Sequence, residues 1–157
     1  MKAATIKEIK SALETMSNDD LVSFNLRLAR YKKENKELLT YLLFESFDEI
    51  GYVNAIKSEI DAGFNELKHF NVYIIKKKLR KIIRLASKFI RYSSVDTTEV
   101  EILIYLCQKI NESKIPLDKS TALMNLYLSL KKKIIIAIDS MHEDLQYDFN
   151  LQIKKLV

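Results

Sequence analysis

Residues that break regular backbone are almost absent from this chain. Its 157 residues include two glycines, Gly51 and Gly63, and one proline, Pro116. Strand-rich folds need turn residues about every 8–12 positions, so this scarcity points to long helices joined by short polar connections. The length suits one domain, residues 1–157, with a proper core. Apolar content of 48% and charged content of 30% are those of an ordinary globular chain. The expected fold is all-α: a single domain of seven or eight helices.

The sharpest pattern lies in residues 71–92, NVYIIKKKLRKIIRLASKFIRY. At 100° per residue, Lys76, Lys77, Arg80, Lys81, Arg84, Lys88 and Arg91 fall within one arc of roughly 140°. Ile75, Leu79, Ile82, Ile83, Ala86, Phe89 and Ile90 fill most of the opposite arc. Lys78 alone sits on the apolar side, where its stem can snorkel outward. The segment holds eight Lys/Arg and no Asp or Glu, whereas the whole chain sums to +5. The remainder is therefore net acidic, and the positive excess is concentrated in one helix. Asn71 is its expected cap, and it should end near Ser93 and Ser94.

Other helices follow from spacing and caps. Ile6, Ile9, Leu13 and Met16 give a first helix. Ser17 with Asp20 opens a second, reaching about Lys32 with Leu21, Phe24, Leu28 and Tyr31 on one face. Residues 34–47 hold LLTYLLF, apolar around more than half the circumference, and are expected to be buried on several sides. Ser46 or Asp48 caps a fourth helix to about Lys68, with Ile50, Val53, Ile56, Ile60, Phe64 and Leu67 inward. Gly51 and Gly63 within it each cost roughly 1 kcal/mol against Ala, marking a kink or a close helix contact. From Lys33 to Lys68, eight Asp/Glu face four Lys/Arg, so this acidic stretch is a candidate to neutralise the basic helix beside it. Asp96 with Glu99 starts a sixth helix through Leu103, Leu106 and Cys107. A loop around Pro116 precedes a seventh from Asp118 or Ser120, apolar nearly all round and expected at the core with the third. Ser140 with Glu143 opens the last, which uses Leu145, Phe149, Ile153 and Leu156.

Two short echoes run through the chain. Glu37-Leu-Leu-Thr-Tyr-Leu-Leu is matched by Glu101-Ile-Leu-Ile-Tyr-Leu-Cys, and Asn71-Val-Tyr-Ile by Asn125-Leu-Tyr-Leu, each of the latter ahead of three lysines. Helical pairs recurring in this way resemble HEAT-like or armadillo-like repeats. The resemblance implies a short α-solenoid whose concave face holds a partner; an irregular helical bundle is the other architecture that fits.

Familiar chemistries are not visible. The lone Cys107 cannot form an internal disulfide and reads as an inert core thiol. Glu66-Leu-Lys-His69 is one Glu-x-x-His half-motif of the di-iron kind, which needs two such motifs and two further glutamates; no metal or cofactor is expected. Glu45, Asp48 and Glu49 form the densest carboxylate cluster and read as solvated or capping groups. Helical DNA glycosylases of the HEAT-like kind also combine basic concave surfaces with sparse motifs. This chain has no Trp and no catalytic Asp flanked by the aromatics of that class. The N-terminal residues hold no long apolar run, and no run reaches 18 apolar residues, so neither a signal peptide nor a membrane span is expected. A cytoplasmic setting is the expectation.

These features suggest a non-enzymatic binding or scaffold protein. Its contact surface would be Lys76, Lys77, Arg80, Lys81, Arg84, Lys88 and Arg91, with Tyr73 beside them. The partner would be an acidic protein surface or a nucleic-acid phosphate backbone, where Tyr73 and Tyr92 offer rings for stacking. An enzyme with no recognisable motif is the remaining alternative, and oligomeric state is left open.

Overall fold

In a computed structural model, residues 2–67 and 71–154 are described. They form eight α-helices and no strand: α1 (Ile6–Glu14), α2 (Asn18–Tyr31), α3 (Lys33–Thr40), α4 (Glu49–Asn65), α5 (Val72–Ser93), α6 (Asp96–Glu112), α7 (Thr121–Asp139) and α8 (Glu143–Lys154). A π-helical turn, Tyr41–Glu45, continues α3. None of these helices is long and apolar enough to cross a membrane. The expected helix end at Lys68 and the expected roles of His69 and Leu156 lie outside the described residues.

The chain divides into two compact units, Met1–Phe44 and Glu45–Val157. In the first, Thr5 and Glu8 make a reciprocal capping box at α1. The Thr5 N–H donates to Glu8 Oε2 at 2.7 Å, and the Glu8 N–H to Thr5 Oγ1 at 3.3 Å. Ser17 caps α2, accepting from the Asp20 N–H at 3.2 Å. Packing of α2 on α3 is pinned by Asn35 Nδ2, which donates to the Leu28 carbonyl at 2.9 Å.

The expectation that the third helix is a core element is overturned. No residue of α3 is buried, and Leu42, Leu43 and Phe44 beyond it are 54%, 59% and 65% exposed. Only Tyr41 of this stretch is buried. An apolar circumference makes burial favourable but does not supply neighbours.

The core of the second unit is built around α6, which touches α4, α5, α7 and α8. Val100, Ile102, Leu103, Ile104, Leu106, Cys107 and Ile110 are all buried. Against them pack Val53, Ile56, Ile60 and Phe64 of α4, Leu79, Ile82 and Ala86 of α5, and Leu123, Leu130, Ile134 and Ile138 of α7. Helix α7 is not apolar in use: Leu128, Ile135 and Ile136 are all more than half exposed. Ile50 likewise points outward from α4 at 78% exposure.

Caps explain most boundaries. Asp48 accepts from the Gly51 N–H at 2.9 Å, and Ser120 caps α7. Two expected caps are replaced. Asp96 is the first residue of α6 rather than its cap; Val95 holds that position, with no side-chain bond. Asp96 and Glu99 instead place negative charge in the first turn, where the helix dipole favours it. Ser140 closes α7, donating to the Ala137 carbonyl at 2.8 Å, rather than opening α8.

Candidate cationic ridge

Helix α5 runs 22 residues, as its two-faced pattern requires. Asn71 Oδ1 accepts from the Ile74 N–H at 3.0 Å and fixes the first turn. At the far end Ser94 takes a left-handed conformation with φ 54°, its N–H donating to the Ile90 carbonyl. That residue terminates the helix at a position where a side chain is strained. Ile75, Leu79, Ile82, Ala86 and Ile90 are buried, and these positions lie three and four apart. The cationic arc is thereby turned away from the core.

The approach of α4 sets how closely α5 is seated. A Cβ built on Gly63 would lie 2.7 Å from Ile82 Cγ1 and 3.0 Å from its Cδ1. Glycine here marks close helix contact, not a kink. A second clamp holds the C-terminal end: the Tyr52 hydroxyl donates to the Phe89 carbonyl at 3.0 Å, and the two rings meet edge-on at 6.3 Å. A third is Glu49, read from the sequence as solvated or capping. It accepts from Thr98 Oγ1 at 2.6 Å and from Ser93 Oγ, tying α4 to the α5–α6 junction. The buried hydroxyls of Ser93 and Thr98 are satisfied by this one carboxylate.

Along the arc, Lys77, Arg80, Lys81, Arg84 and Arg91 are exposed, while Lys76 and Lys88 are half-buried. Among the described residues, no carboxylate lies within 4.0 Å of Lys76, Lys77, Arg80, Lys81, Arg84 or Arg91. Lys88 lies over the Phe89 ring at 4.9 Å and near Tyr92 at 6.0 Å. Lys78, the cation on the apolar side, does leave the core. Its Nζ sits 3.0 Å from Glu66 Oε2 and holds that carboxyl below its ordinary range.

Opposite charges also pair across the α4–α6 interface. Lys57 Nζ meets Glu101 Oε1 at 2.5 Å. Lys109 Nζ meets Asp61 Oδ1 at 2.9 Å and Glu112 at 3.5 Å, and the Tyr105 hydroxyl donates to both Asp61 oxygens at 2.8 Å. Both lysines also lie over the Tyr105 ring, at 5.4 and 5.3 Å. Partial desolvation works to raise the Asp61 carboxyl. The Lys109 and Tyr105 hydrogen bonds outweigh it and leave the group below the usual carboxylate value. The bond to Asp61 raises Lys109 in turn, against its own desolvation.

Tyr73 stands at the N-terminal end of the ridge, 70% exposed, with Lys76 Nζ 5.7 Å from its ring centroid. Tyr92 is half-buried, its ring packed edge-on against Phe89 at 6.2 Å. Compared with protein-family profiles, with curated proteins and with solved structures, the chain matches none.

A separate hollow of about 570 Å³ lies between α4 and the end of α6, over Phe64, Ile75 and Pro116. Its charged rim is the Asp61–Lys109–Glu112 group, already paired within itself. Burial pushes the Cys107 thiol up to about 12, with the nearby Lys131 charge opposing. No group of three His, Cys, Asp or Glu side chains among the described residues is arranged to hold a metal ion. The echoed segments occupy unlike places: Asn71 is a helix cap and Asn125 an exposed mid-helix residue, and the first Leu-rich stretch is largely exposed where the second is buried.

Proposed function

We propose that this protein is a non-enzymatic binding or scaffold protein that presents α5 to an acidic partner. The observation that carries the reading is the row Lys77, Arg80, Lys81, Arg84 and Arg91, exposed and, among the described residues, with no carboxylate within 4.0 Å. From Lys76 to Arg91 the row extends about 22 Å, roughly four helical turns. Its lysines and arginines are held at fixed spacing by a helix that is itself clamped by α4. A partner therefore meets a pre-organised array and orders mainly its own acidic groups. Cations near one another also raise the local potential and steer acidic surfaces toward the ridge.

A phosphate backbone is the second reading, and Tyr73 is what favours it. An exposed ring beside a cationic row is the arrangement that stacks an unpaired base while lysines and arginines follow the phosphates. The two readings separate in one salt-titrated anisotropy experiment, using labelled duplex DNA, single-stranded DNA and an acidic peptide.

A nucleic-acid partner gives an affinity that falls steeply with log salt, by nearly one log unit per phosphate neutralised. It also weakens in Tyr73→Ala for single strands only. An acidic protein partner gives binding to the peptide that is indifferent to Tyr73. Reversal of Lys77, Arg80 and Arg84 to Glu should abolish either without lowering the melting temperature, because these are exposed positions and the change relieves like-charge pairs along the helix. Absence of binding to all three probes at about 50 mM salt, where screening is weak, would refute both. So would equal binding by the reversed variant.

A further inference from the structure

A second surface, in the N-terminal unit, is built for self-association. Helices α1 and α2 enclose an open apolar groove of about 700 Å³, lined by Ile9, Leu13 and Met16 on one side and by Phe24, Leu28 and Tyr31 on the other. Neither helix has a buried residue. Phe24, Leu28 and Tyr31 are 44%, 58% and 77% exposed. Apolar side chains left this open at a groove mark an interaction site.

The charges on α2 identify the occupant. Its acids are at the start, Asp19 and Asp20, and its bases toward the end, Arg27 and Arg30. Asp20 and Arg27 are seven residues apart, so they lie on the same flank of the Phe24–Leu28 face, two turns from one another. Arg27 edges the groove and has no carboxylate partner among the described residues. A two-fold axis through the midpoint between residues 20 and 27 reverses the helix and maps this flank onto itself. It sets Asp20 of one copy beside Arg27 of the other, twice, and brings Phe24 against its own symmetry mate. Such self-complementarity is what an isologous contact requires.

We infer that the protein forms a two-fold homodimer, with α2 of one copy lying antiparallel in the α1–α2 groove of the other. Eight residues line the groove, against the roughly 20–30 per partner of a standard interface, so the contact is a small one.

The test is the mass of the full chain by sedimentation equilibrium at about 100 μM, a concentration that populates a dimer of micromolar dissociation constant. The expected wild-type mass is twice 18.3 kDa. Asp20→Lys and Arg27→Glu should each weaken association roughly tenfold or more, because each places like charges together twice. Both side chains are exposed, but the Asp20 carboxylate also accepts from Ser17 Oγ at 2.6 Å at the α2 cap. Arg27→Glu is therefore the variant expected to leave far-UV circular dichroism unchanged, and the helix content of Asp20→Lys is measured beside its mass. Mixing the two variants in equal amounts should restore the dimer mass, since the mixed pair regains both opposite-charge contacts. A wild-type monomer at this concentration overturns the proposal, as does a mixture no more associated than its components. These outcomes are independent of whether α5 binds an acidic partner.

Discussion

Replacing Gly63 with alanine tests how α5 is seated. In an isolated helix the change is favourable by about 1 kcal/mol, since glycine loses more backbone entropy on folding. Here the new Cβ would sit 2.7 Å from Ile82 Cγ1, well inside contact distance. Ile82 is 6% exposed and β-branched, so it cannot turn away without leaving its one favoured helical rotamer. Overpacking costs about 1–3 kcal/mol, and so close an approach to an immobile side chain belongs in the upper part of that range, at about 2–3, leaving Gly63→Ala destabilised by roughly 1–2 kcal/mol net. The melting temperature should fall by about 3–6 °C for a chain of this length. Ile82→Ala alone costs about 2–5 kcal/mol through the lost contacts and cavity. In that background the obstructing atoms are gone, and the added methyl at residue 63 should become stabilising by about 1 kcal/mol. Urea unfolding of the four chains by far-UV circular dichroism gives the coupling energy, expected at about 2–3 kcal/mol. Additive effects, or a Gly63→Ala chain more stable than wild type, would show that α4 and α5 are not this close.

Cys107 should resist a disulfide-exchange reagent at pH 8 in the native protein and react once the chain is unfolded in urea, because burial both covers the thiol and disfavours its thiolate. Its raised pKa also means that stability falls as pH rises from about 9, where the unfolded thiol ionises, toward 12. Asp61 gives the opposite limb. Its folded pKa is depressed, so its contribution is present above the ordinary carboxylate value near 4 and is lost as pH falls through the lower folded value. Asp61→Asn should therefore flatten the acid limb of a plot of urea midpoint against pH. Sodium chloride should raise the melting temperature by about 2–4 °C between low salt and 0.5 M. Screening there relieves like-charge pairs on α5 that are worth on the order of 1–2 kcal/mol together. A falling temperature would show that attractive surface pairs dominate instead.

Local chemistry was readable from the sequence, and tertiary choice was not. Caps at Ser17 and Asn71 stand where the sequence puts them, and Asp48 and Ser120 are each one of the two candidates it offers, because an N-cap is decided by one side chain and a backbone N–H two or three residues on. The Thr5–Glu8 box obeys the same rule and was open to the same reading. The core was harder. LLTYLLF and ILIYLC have nearly the same apolar content, yet the first is largely exposed and the second is buried. Composition sets how much a helix gains from burial, and position among its neighbours decides whether it is buried. Helix α6 wins because four helices surround it and because Tyr105, Lys109 and Glu101 match Asp61 and Lys57 across the α4 interface. Those matches join residues more than 40 positions apart, and no local pattern encodes them. The periodicity of the α5 cations was plain in the sequence. What was not plain is that Glu66, from the neighbouring acidic stretch, pairs with Lys78, the one cation outside the arc.

That uneven sharing of charge has an energetic consequence. Lys76–Arg80, Lys77–Lys81, Arg80–Arg84 and Arg84–Lys88 stand one turn apart on the helix, each pair repelling by a few tenths of a kcal/mol. The apolar face of α5 more than offsets this, since burying one large aliphatic side chain contributes about 1.5–3 kcal/mol. The helix is therefore stable while its outer face remains electrostatically unfavourable. Moving Asp61 toward α5 would relieve the repulsion, but it would strip Lys109 and Tyr105 of their shared partner at the α4–α6 interface. A polyanion that docks on α5 supplies the relief from outside without disturbing the α4–α6 network. Part of its binding energy is then repulsion removed rather than contact made, and such a ligand stabilises the fold as it binds. An internally neutralised helix could not couple partner binding to stability in this way.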